Sequence, residues 1–210
     1  MSKLYFKFGA MGSSKTANAL MTRFNYLEKN HSVWLIKPQT DTRDDYTDES
    51  GKIVTVVKSR IGLEAPANVI KDNADITELF KTASADIVIN DTVVKTQKID
   101  VIICDECQFF TEDQIDQLKY IAENENVPVI CFGLRSDFRT KLFPGSKRLF
   151  EIADSITEVK SICECGKKAI VNARFDGNGN IVTNGAQVEI GGNEKYKSMC
   201  WSCWQKLINK

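Results

Sequence analysis

A short segment near the start of the chain has the composition of a phosphate-binding loop. Its sequence differs from the pattern G-x-x-x-x-G-K-[ST] at one position. In such loops, backbone N–H groups and the positive end of the following helix face the phosphates of a nucleotide. The pattern predicts that Lys15 reaches the β- and γ-phosphates of ATP and that the Thr16 hydroxyl holds Mg²⁺. The predicted nucleotide-binding residues of this loop are Gly9, Ala10, Met11, Gly12, Ser13, Ser14, Lys15 and Thr16.

One position departs from the pattern, because Ser14 stands where glycine is expected. If the loop needs a positive φ there, serine costs on the order of 1 kcal/mol relative to glycine. An eight-residue pattern with one mismatch also arises by chance, so an ordinary turn between a strand and a helix is the alternative interpretation. A strand-like run before the loop and helical spacing after it favour a genuine phosphate loop.

An acidic pair follows an apolar run later in the chain. Asp105 and Glu106 come directly after residues 101–104, which have the pattern of a buried strand. Asp105 matches an aspartate that helps to hold magnesium beside a phosphate loop. Glu106 is expected at the carboxyl end of the sheet, where open α/β folds bind ligands, and it could accept the proton of an attacking hydroxyl. Alone, the pair is more typical of an ordinary strand end with two solvated acids; the upstream phosphate loop favours the catalytic interpretation.

Two cysteine pairs lie near the end of the chain. Cys163 and Cys165 are separated by one residue, and Cys200 and Cys203 by two. Four thiolates suit tetrahedral Zn²⁺, and a closed site with four protein ligands is structural. Four free thiols are the alternative, which is disfavoured because both pairs fall in one small glycine-rich region. We therefore predict one structural zinc ion bound by these four cysteines.

The elements that must position these residues alternate between strands and helices. This alternation predicts an α/β fold with a mainly parallel sheet and helices on both faces. After about residue 160 the pattern ends, so we expect a nucleotide-binding domain at 1–159 and a zinc-binding domain at 160–210. Residues 71–98 carry no assignable motif, and residues 38–51 are expected to form a polar loop. Strands are expected at 3–8, 32–36, 53–57, 86–89, 101–104 and 127–132, and helices at 17–27, 74–82 and 112–123.

The bulk composition restricts the class of protein. The chain has 210 residues, of which 42% are hydrophobic and 27% charged, as expected of a globular protein with a buried core. Lys plus Arg equals Asp plus Glu at 28 each, which gives no indication of a nucleic-acid or membrane partner. No apolar run approaches the roughly 18 residues of a membrane span, and the first residues do not resemble a signal peptide. We therefore expect a cytoplasmic protein.

In their order along the chain, these motifs resemble those of the type II thymidine kinases, the class shared by many bacteria and the human cytosolic enzyme. The resemblance extends from about residue 4 to residue 204. Besides the phosphate loop, the acidic pair and the cysteine pairs, it rests on Lys37-Pro38 with Asp41 and Arg43, and on residues 107–109, 133–138 and 190–196.

This resemblance implies a RecA-like P-loop domain followed by a zinc-containing lasso domain. It implies transfer of the γ-phosphate of ATP to the 5′-hydroxyl of thymidine, and of deoxyuridine, giving dTMP for DNA precursor salvage. Glu106 would be the general base, with Asp105 and Gln108 also in the nucleotide site. A homotetramer inhibited by dTTP is implied as well. The implied thymidine-binding residues are Met11, Phe109, Leu134, Phe138, Phe143, Ile190, Gly191, Gly192 and Tyr196.

Two other functions remain open at this point. One is a P-loop ATPase or a kinase of another nucleoside. The other is a zinc-ribbon module that binds nucleic acid and is fused to a nucleotide switch. The balanced charge and the lack of a basic stripe disfavour the second alternative.

Overall fold

The computed structural model describes residues 2–187 and 195–209. One turn of 3₁₀ helix spans Cys107–Phe109. The α-helices are α1 (Lys15–Glu28), α2 (Ile76–Thr82), α3 (Glu112–Asn124), α4 (Pro144–Ile152) and α5 (Trp201–Ile208). The strands are β1 (Leu4–Phe8), β2 (Val33–Pro38), β3 (Tyr46–Thr47), β4 (Ile53–Val54), β5 (Val56–Lys58), β6 (Glu64–Pro66), β7 (Asn68–Ile70), β8 (Ala85–Ile89), β9 (Thr92–Thr96), β10 (Val101–Cys104), β11 (Val129–Gly133), β12 (Ser155–Glu158), β13 (Ser161–Ile162), β14 (Lys168–Ala169), β15 (Val171–Phe175), β16 (Ile181–Val182) and β17 (Tyr196–Met199).

The main sheet has eight strands and is mostly parallel. Its order is β12-β1-β11-β10-β2-β8-β9, and β7 also pairs with β2. The pairs from β12 to β2 are parallel, as is the pair of β2 with β7. The strands β8 and β9 add an antiparallel hairpin at one edge. The predicted α/β class is therefore confirmed.

Buried side chains alternate between the two faces of this sheet. In β10, Val101 and Ile103 belong to one core cluster, and Ile102 and Cys104 belong to the other. The first cluster includes Leu20 and other residues of α1, whereas the second includes residues of α3 and α4. Because successive side chains of a strand point to opposite faces, this distribution places helices on both sides of the sheet, as predicted.

Two parts of the sequence fold differently from the prediction. The single strand expected at 53–57 is wrong, because β4 pairs with β3 and β5 pairs with β6 in two separate hairpins. Residues 38–51, expected to be a loop, contribute β3. The β8–β9 hairpin also extends beyond the one strand predicted there. Its turn residues Asn90 and Asp91 both have positive φ, 48° and 60°. Two-residue hairpin turns favour residues such as Asn and Asp that tolerate a positive φ, so this pair was the signal in the sequence for a hairpin.

The described residues after Lys160 form smaller elements with their own apolar contacts. Strands β16, β15 and β17 make a three-stranded antiparallel sheet, and β13 pairs with β14. Val171, Ala173 and Trp204 form one buried cluster there, and Cys163, Ala169 and Cys200 form another. Within the described residues, no helix combines the length and apolar character needed to cross a membrane.

Candidate active site

The phosphate-loop segment is anchored at the ends of β11 and β12, the two strands that flank β1. The Gly9 N–H donates to the Gly133 carbonyl oxygen at 3.2 Å, at the end of β11. A β-carbon on Gly9 would lie 2.3 Å from the Val159 carbonyl oxygen, just after β12. Since real β-carbons do not approach an oxygen that closely, only glycine fits at this position. The loop is thus held at the carboxyl edge of the parallel sheet, where open α/β folds bind ligands.

Ser14 has a left-handed backbone conformation, with φ 60° and ψ 27°. Its side chain makes no hydrogen bond that caps α1. The loop therefore needs a positive φ at the position where its sequence departs from the pattern. Serine adopts this conformation at a cost that glycine would avoid.

Lys15 is buried inside the loop. Its Nζ donates to the Ala10 carbonyl oxygen at 2.9 Å and to the Ser13 Oγ at 3.3 Å. Burial lowers the pKa of Lys15, while the nearby carboxylates of Glu106 and Asp105 act in the opposite direction. The ammonium group therefore lies between the loop backbone and the acidic pair.

Asp105 lies at the end of β10 and is almost fully buried. Its N–H donates to the Ile36 carbonyl oxygen at 3.0 Å. Burial raises the pKa of Asp105 to about 7, and the charge of Glu106 adds to this effect. The side chains of Thr16 and Lys15 lower it. The structure thus brings Asp105 close to Thr16, the other residue predicted to hold Mg²⁺.

Glu106 also has a left-handed backbone conformation, with φ 49° and ψ 36°. Its Oε1 accepts a hydrogen bond from Arg43 Nη2 at 2.6 Å, and its Oε2 accepts one from Gln108 Nε2. Burial raises the pKa of Glu106, but Arg43, Lys15 and Gln108 outweigh burial, so this pKa lies below its ordinary value. The side chain is therefore held as a carboxylate, the form that a general base requires.

Gln108 fixes Glu106 to the end of β11. Its Oε1 accepts from the Leu134 N–H at 2.9 Å, and its side chain is fully buried. A β-carbon on Gly133 would lie 2.6 Å from the Cys107 Sγ and 2.7 Å from the Gln108 Oε1. Glycine at 133 therefore allows the 3₁₀ turn to lie directly against β11. With both ends of its amide engaged, Gln108 positions Glu106 from behind the cavity wall.

Arg43 was part of the motif, but the sequence assigned it no role. It lies in the loop after β2, where its Nε donates to Asp41 Oδ1 at 2.6 Å. The same guanidinium reaches Glu106, so it links two carboxylates. A loop from one strand end thereby sets the charge on an acid at the end of the neighbouring strand.

One cavity of about 530 Å³ joins these groups to an apolar wall. Phe109 and Phe143 meet edge to face there, with ring centroids 5.5 Å apart. Residues 12–16 of the phosphate loop, Arg43 and Glu106 line the same cavity. Gly9, Ala10, Asp105 and Gln108 are absent from its wall, and Ile190, Gly191 and Gly192 lie outside the described residues. The predicted pocket residues that line the cavity are Met11, Phe109, Leu134, Phe138, Phe143 and Tyr196.

Sequence reasoning missed Asn172, a buried residue of β15. Its Oδ1 accepts from the Met11 N–H at 2.7 Å, and its Nδ2 donates to the Ser136 carbonyl oxygen at 2.9 Å. Asn172 thus connects the C-terminal elements to the phosphate loop. A polar residue between the apolar Val171 and Ala173 was the available signal, since buried amides need specific partners.

Asp137, on the cavity wall, belongs to the motif at residues 133–138, but the sequence assigned it no role. Its side chain is fully buried and accepts hydrogen bonds from the N–H groups of Arg139 and Lys141, each at 2.9 Å. Gln187 Nε2 donates to the same carboxylate at 3.2 Å. The carboxylate therefore organises the turn that follows β11 and ties it to the segment after β16.

The four cysteines predicted to bind zinc come together. The Sγ atoms of Cys163, Cys165, Cys200 and Cys203 all lie within 4.8 Å of one another. A tetrahedral zinc ion with Zn–S bonds of 2.3 Å places its sulfur atoms about 3.8 Å apart. The separation of 3.6 Å between Cys165 Sγ and Cys200 Sγ is close to this value. The cluster is consistent with a structural zinc site.

Comparison with known proteins gives one consistent result. The family model described as thymidine kinase matches residues 2–204. The thymidine kinase of Enterobacteria phage T4 is 41% identical over 210 residues, covering 100% of this chain and 99% of the phage protein. The thymidine kinase of Photorhabdus laumondii is 38% identical, covering 100% and 96%. That of Zymomonas mobilis is 40% identical over 200 residues, covering 95% and 94%.

Proposed function

Because this chain belongs to the thymidine kinase family, an ATP-dependent class of enzyme, we propose that it phosphorylates the 5′-hydroxyl of thymidine with Glu106 as general base. The observation that carries the assignment of the base is the position of its carboxylate. Glu106 is held between Arg43 and Gln108, on the wall of the cavity that the phosphate loop also lines. The same reaction on deoxyuridine is part of the proposal.

Glu106 would remove the proton of the 5′-hydroxyl as its oxygen attacks the γ-phosphorus, and ADP would leave. An acid with a lowered pKa is deprotonated at neutral pH and is ready to act as a base. Lys15 and Arg43 would balance the negative charge on the transferred group, since catalysis of phosphoryl transfer is mainly positioning and electrostatic stabilisation. Thr16 and Asp105 would hold Mg²⁺, which would supply positive charge to neutralise the charge that develops on the phosphates.

The apolar wall supports binding of a nucleoside base. Phe109, Phe138 and Phe143 present aromatic surface to the cavity, and Leu134 and Met11 add aliphatic surface. Ligand pockets of this kind combine such walls with a few polar groups that fix orientation. We propose that the backbones of Gly191 and Gly192 supply those polar groups and that Ile190 and Tyr196 also contact thymidine.

We place a nucleotide-binding domain at 1–159 and a zinc-binding domain at 160–210, and the separate apolar clusters of the C-terminal elements support this division. A homotetramer, a cytoplasmic location and inhibition by dTTP are proposed from the resemblance to type II enzymes.

A substrate panel tests the proposed activity. Purified protein is incubated with Mg²⁺ and ATP, and with thymidine, deoxyuridine, deoxycytidine or no nucleoside, and phosphorylated products are separated by chromatography. We expect dTMP and dUMP, with little ATP hydrolysis in the absence of an acceptor. A preference for deoxycytidine, or hydrolysis that does not depend on a nucleoside, would contradict the assignment.

Metal analysis tests the zinc site. Protein purified without chelators should contain about one zinc ion per chain, and replacing Cys200 with serine should reduce this content because three thiolates bind zinc less tightly than four. Cys131, which is buried in the main sheet, provides the control: Cys131→Ser should leave the zinc content unchanged. Zinc-free protein that is folded and active would rule out a structural zinc ion.

A further inference from the structure

The hairpin formed by β5 and β6 has a fixed stem. Val57 and Ala65 pair across it, and both are buried in the core cluster that α1 covers. The Val56 carbonyl oxygen accepts from the fully buried Lys37 Nζ at 3.0 Å, at the end of β2. A stem held by core packing and by a buried ammonium group places its tip at a defined position.

The tip of this hairpin carries Arg60 to the phosphate loop. Residues 60–62 are exposed and line the cavity, and the turn closes through Gly62, whose φ is +87°. Arg60 Nη1 lies 3.9 Å from the position that a β-carbon on Gly12 would occupy. The guanidinium thus lies next to the backbone turn whose N–H groups bind phosphate in a phosphate loop.

Arg60 differs from the other cations on the cavity wall in its partners. Arg43 is paired with Asp41 and Glu106, and Lys58 is paired with Glu64 at 3.0 Å. Lys15 lies within the field of the acidic pair and is hydrogen-bonded to Ala10. Among the residues that the structure describes, Arg60 makes no ion pair and no side-chain hydrogen bond.

We infer that Arg60 binds the terminal phosphates of ATP. The triphosphate keeps a net negative charge even when one Mg²⁺ is bound, so it favours a cation whose charge is not already compensated. A planar guanidinium also pairs with phosphate oxygens through two parallel N–H donors. This inference deepens the proposed function, on which it rests for the identity of the phosphate donor.

Replacing Arg60 tests the assignment without disturbing the core, because the side chain is exposed. In Arg60→Ala, kcat/KM for ATP at saturating thymidine should fall by about ten- to a hundredfold, the range expected for losing a charged hydrogen-bond donor. The KM for thymidine and the Tm should remain unchanged. Arg60→Lys should lie between the wild type and Arg60→Ala, because it keeps the charge and loses the paired donors.

Two further measurements make the outcome decisive. Arg148, a half-buried arginine on α4 that pairs with Asp116 and Glu151 outside the cavity, provides the control, and Arg148→Ala should bind and turn over ATP like the wild type. Calorimetry with Mg·ATP and no nucleoside should show weaker binding to Arg60→Ala, whichever acceptor the enzyme uses. If kcat/KM for ATP and the affinity for Mg·ATP both stay within about twofold of the wild type, or if only the KM for thymidine changes, Arg60 does not bind these phosphates. If only the substrate panel fails, the proposed nucleoside acceptor is wrong. The calorimetric test of Mg·ATP binding by Arg60 remains valid, because it uses no nucleoside.

Discussion

Two non-glycine residues of the site, Ser14 and Glu106, share a left-handed backbone conformation. Their φ angles are 60° and 49°. Such conformations cost free energy and persist when the surrounding structure enforces them, which is common at functional sites. At Glu106 the strained turn aims the carboxylate at Arg43 and Gln108; at Ser14 it begins α1 without any side-chain cap. The first conformation has an evident use in orienting an acid, and the second follows from the shape of the phosphate loop.

Replacing Glu106 with glutamine should separate catalysis from folding. Glutamine keeps the size of the side chain and one of its two acceptor oxygens, but it carries no negative charge and cannot accept the proton of the nucleoside. We expect kcat to fall by about two to four orders of magnitude, with an unchanged circular dichroism spectrum. Glu123→Gln, on the exposed face of α3, is the matched control and should retain full activity. A Glu106→Gln enzyme with near-normal kcat would remove Glu106 from the role of base.

Replacing Ser14 with glycine should stabilise the protein. Glycine adopts a positive φ without the steric cost that serine carries, and the serine side chain makes no capping bond to lose. We expect a gain of about 1 kcal/mol in the free energy of unfolding, or roughly 2–4 °C in Tm. Ser14→Ala keeps the steric cost and should show no gain. An equal or lower Tm for Ser14→Gly would mean that the serine hydroxyl has a stabilising partner in solution.

The strands of the main sheet contribute to the site mainly by bringing the loops at their carboxyl ends together. The end of β2 supplies the loop with Arg43, the end of β10 supplies the acidic pair, and the end of β11 supplies Leu134. All three are parallel neighbours in the sheet, so their carboxyl ends meet at one edge. Strand β15 adds Asn172 from the opposite end of the chain. The phosphate loop is therefore supported both by the main sheet and by the elements next to the zinc cluster.

Truncating Asn172 tests whether β15 supports the phosphate loop. Asn172→Ala leaves the Met11 N–H and the Ser136 carbonyl oxygen without their partner, at a cost of about 1–3 kcal/mol for each buried group left unsatisfied. We expect a lower Tm and a reduced kcat/KM for ATP, by about tenfold. Asn178→Ala, in the exposed turn that follows β15, is the control. A lower Tm with unchanged kcat/KM for ATP would show that the link stabilises the fold without shaping the loop.

On the surface of the molecule, α1 exposes large apolar side chains. Met21 and Phe24, three residues apart on one face of the helix, are 46% and 61% exposed. Arg23 of the same helix pairs with Asp86 of β8 at 2.7 Å, which joins α1 to the edge hairpin of the sheet. Exposed apolar side chains that are close together are typical of surfaces that bind another protein. In the proposed homotetramer, we place α1 among the contact surfaces between copies.

A charged residue in this surface tests the assembly. Phe24→Asp should yield smaller particles than the wild type in light scattering coupled to size-exclusion chromatography, because a buried carboxylate would oppose association. Ile53→Asp, on the exposed side of β4, is the control for an equally exposed apolar residue and should keep the wild-type mass. A Phe24→Asp protein that remains tetrameric would exclude α1 from the interface.

The sequence by itself determined the features that depend on local pattern. The phosphate loop, the strand that ends in Asp105, and the cysteine pairs were all visible, because spacing along the chain encodes turn geometry, periodic burial and metal-ligand distances. The alternation of strands and helices was sufficient for the α/β class and for helices on both faces. The predicted pocket residues came from the ordered motifs of a family and not from local pattern.

Only the tertiary structure decided which groups touch the reactive ones. Arg43 reaches Glu106 across 63 positions of the sequence, and Asn172 reaches Met11 across 161. The split of residues 53–57 into two hairpins likewise depends on separate partners, β3 and β6. The contact of Arg43 with Glu106 arises because the parallel strands β2 and β10 end at one edge of the sheet. The contact of Asn172 with Met11 arises because a separate antiparallel sheet lies against the phosphate loop. Local periodicity does not specify which elements pack together. The state of Glu106 as a carboxylate, and the place of Arg60 above the phosphate loop, follow from that assembly.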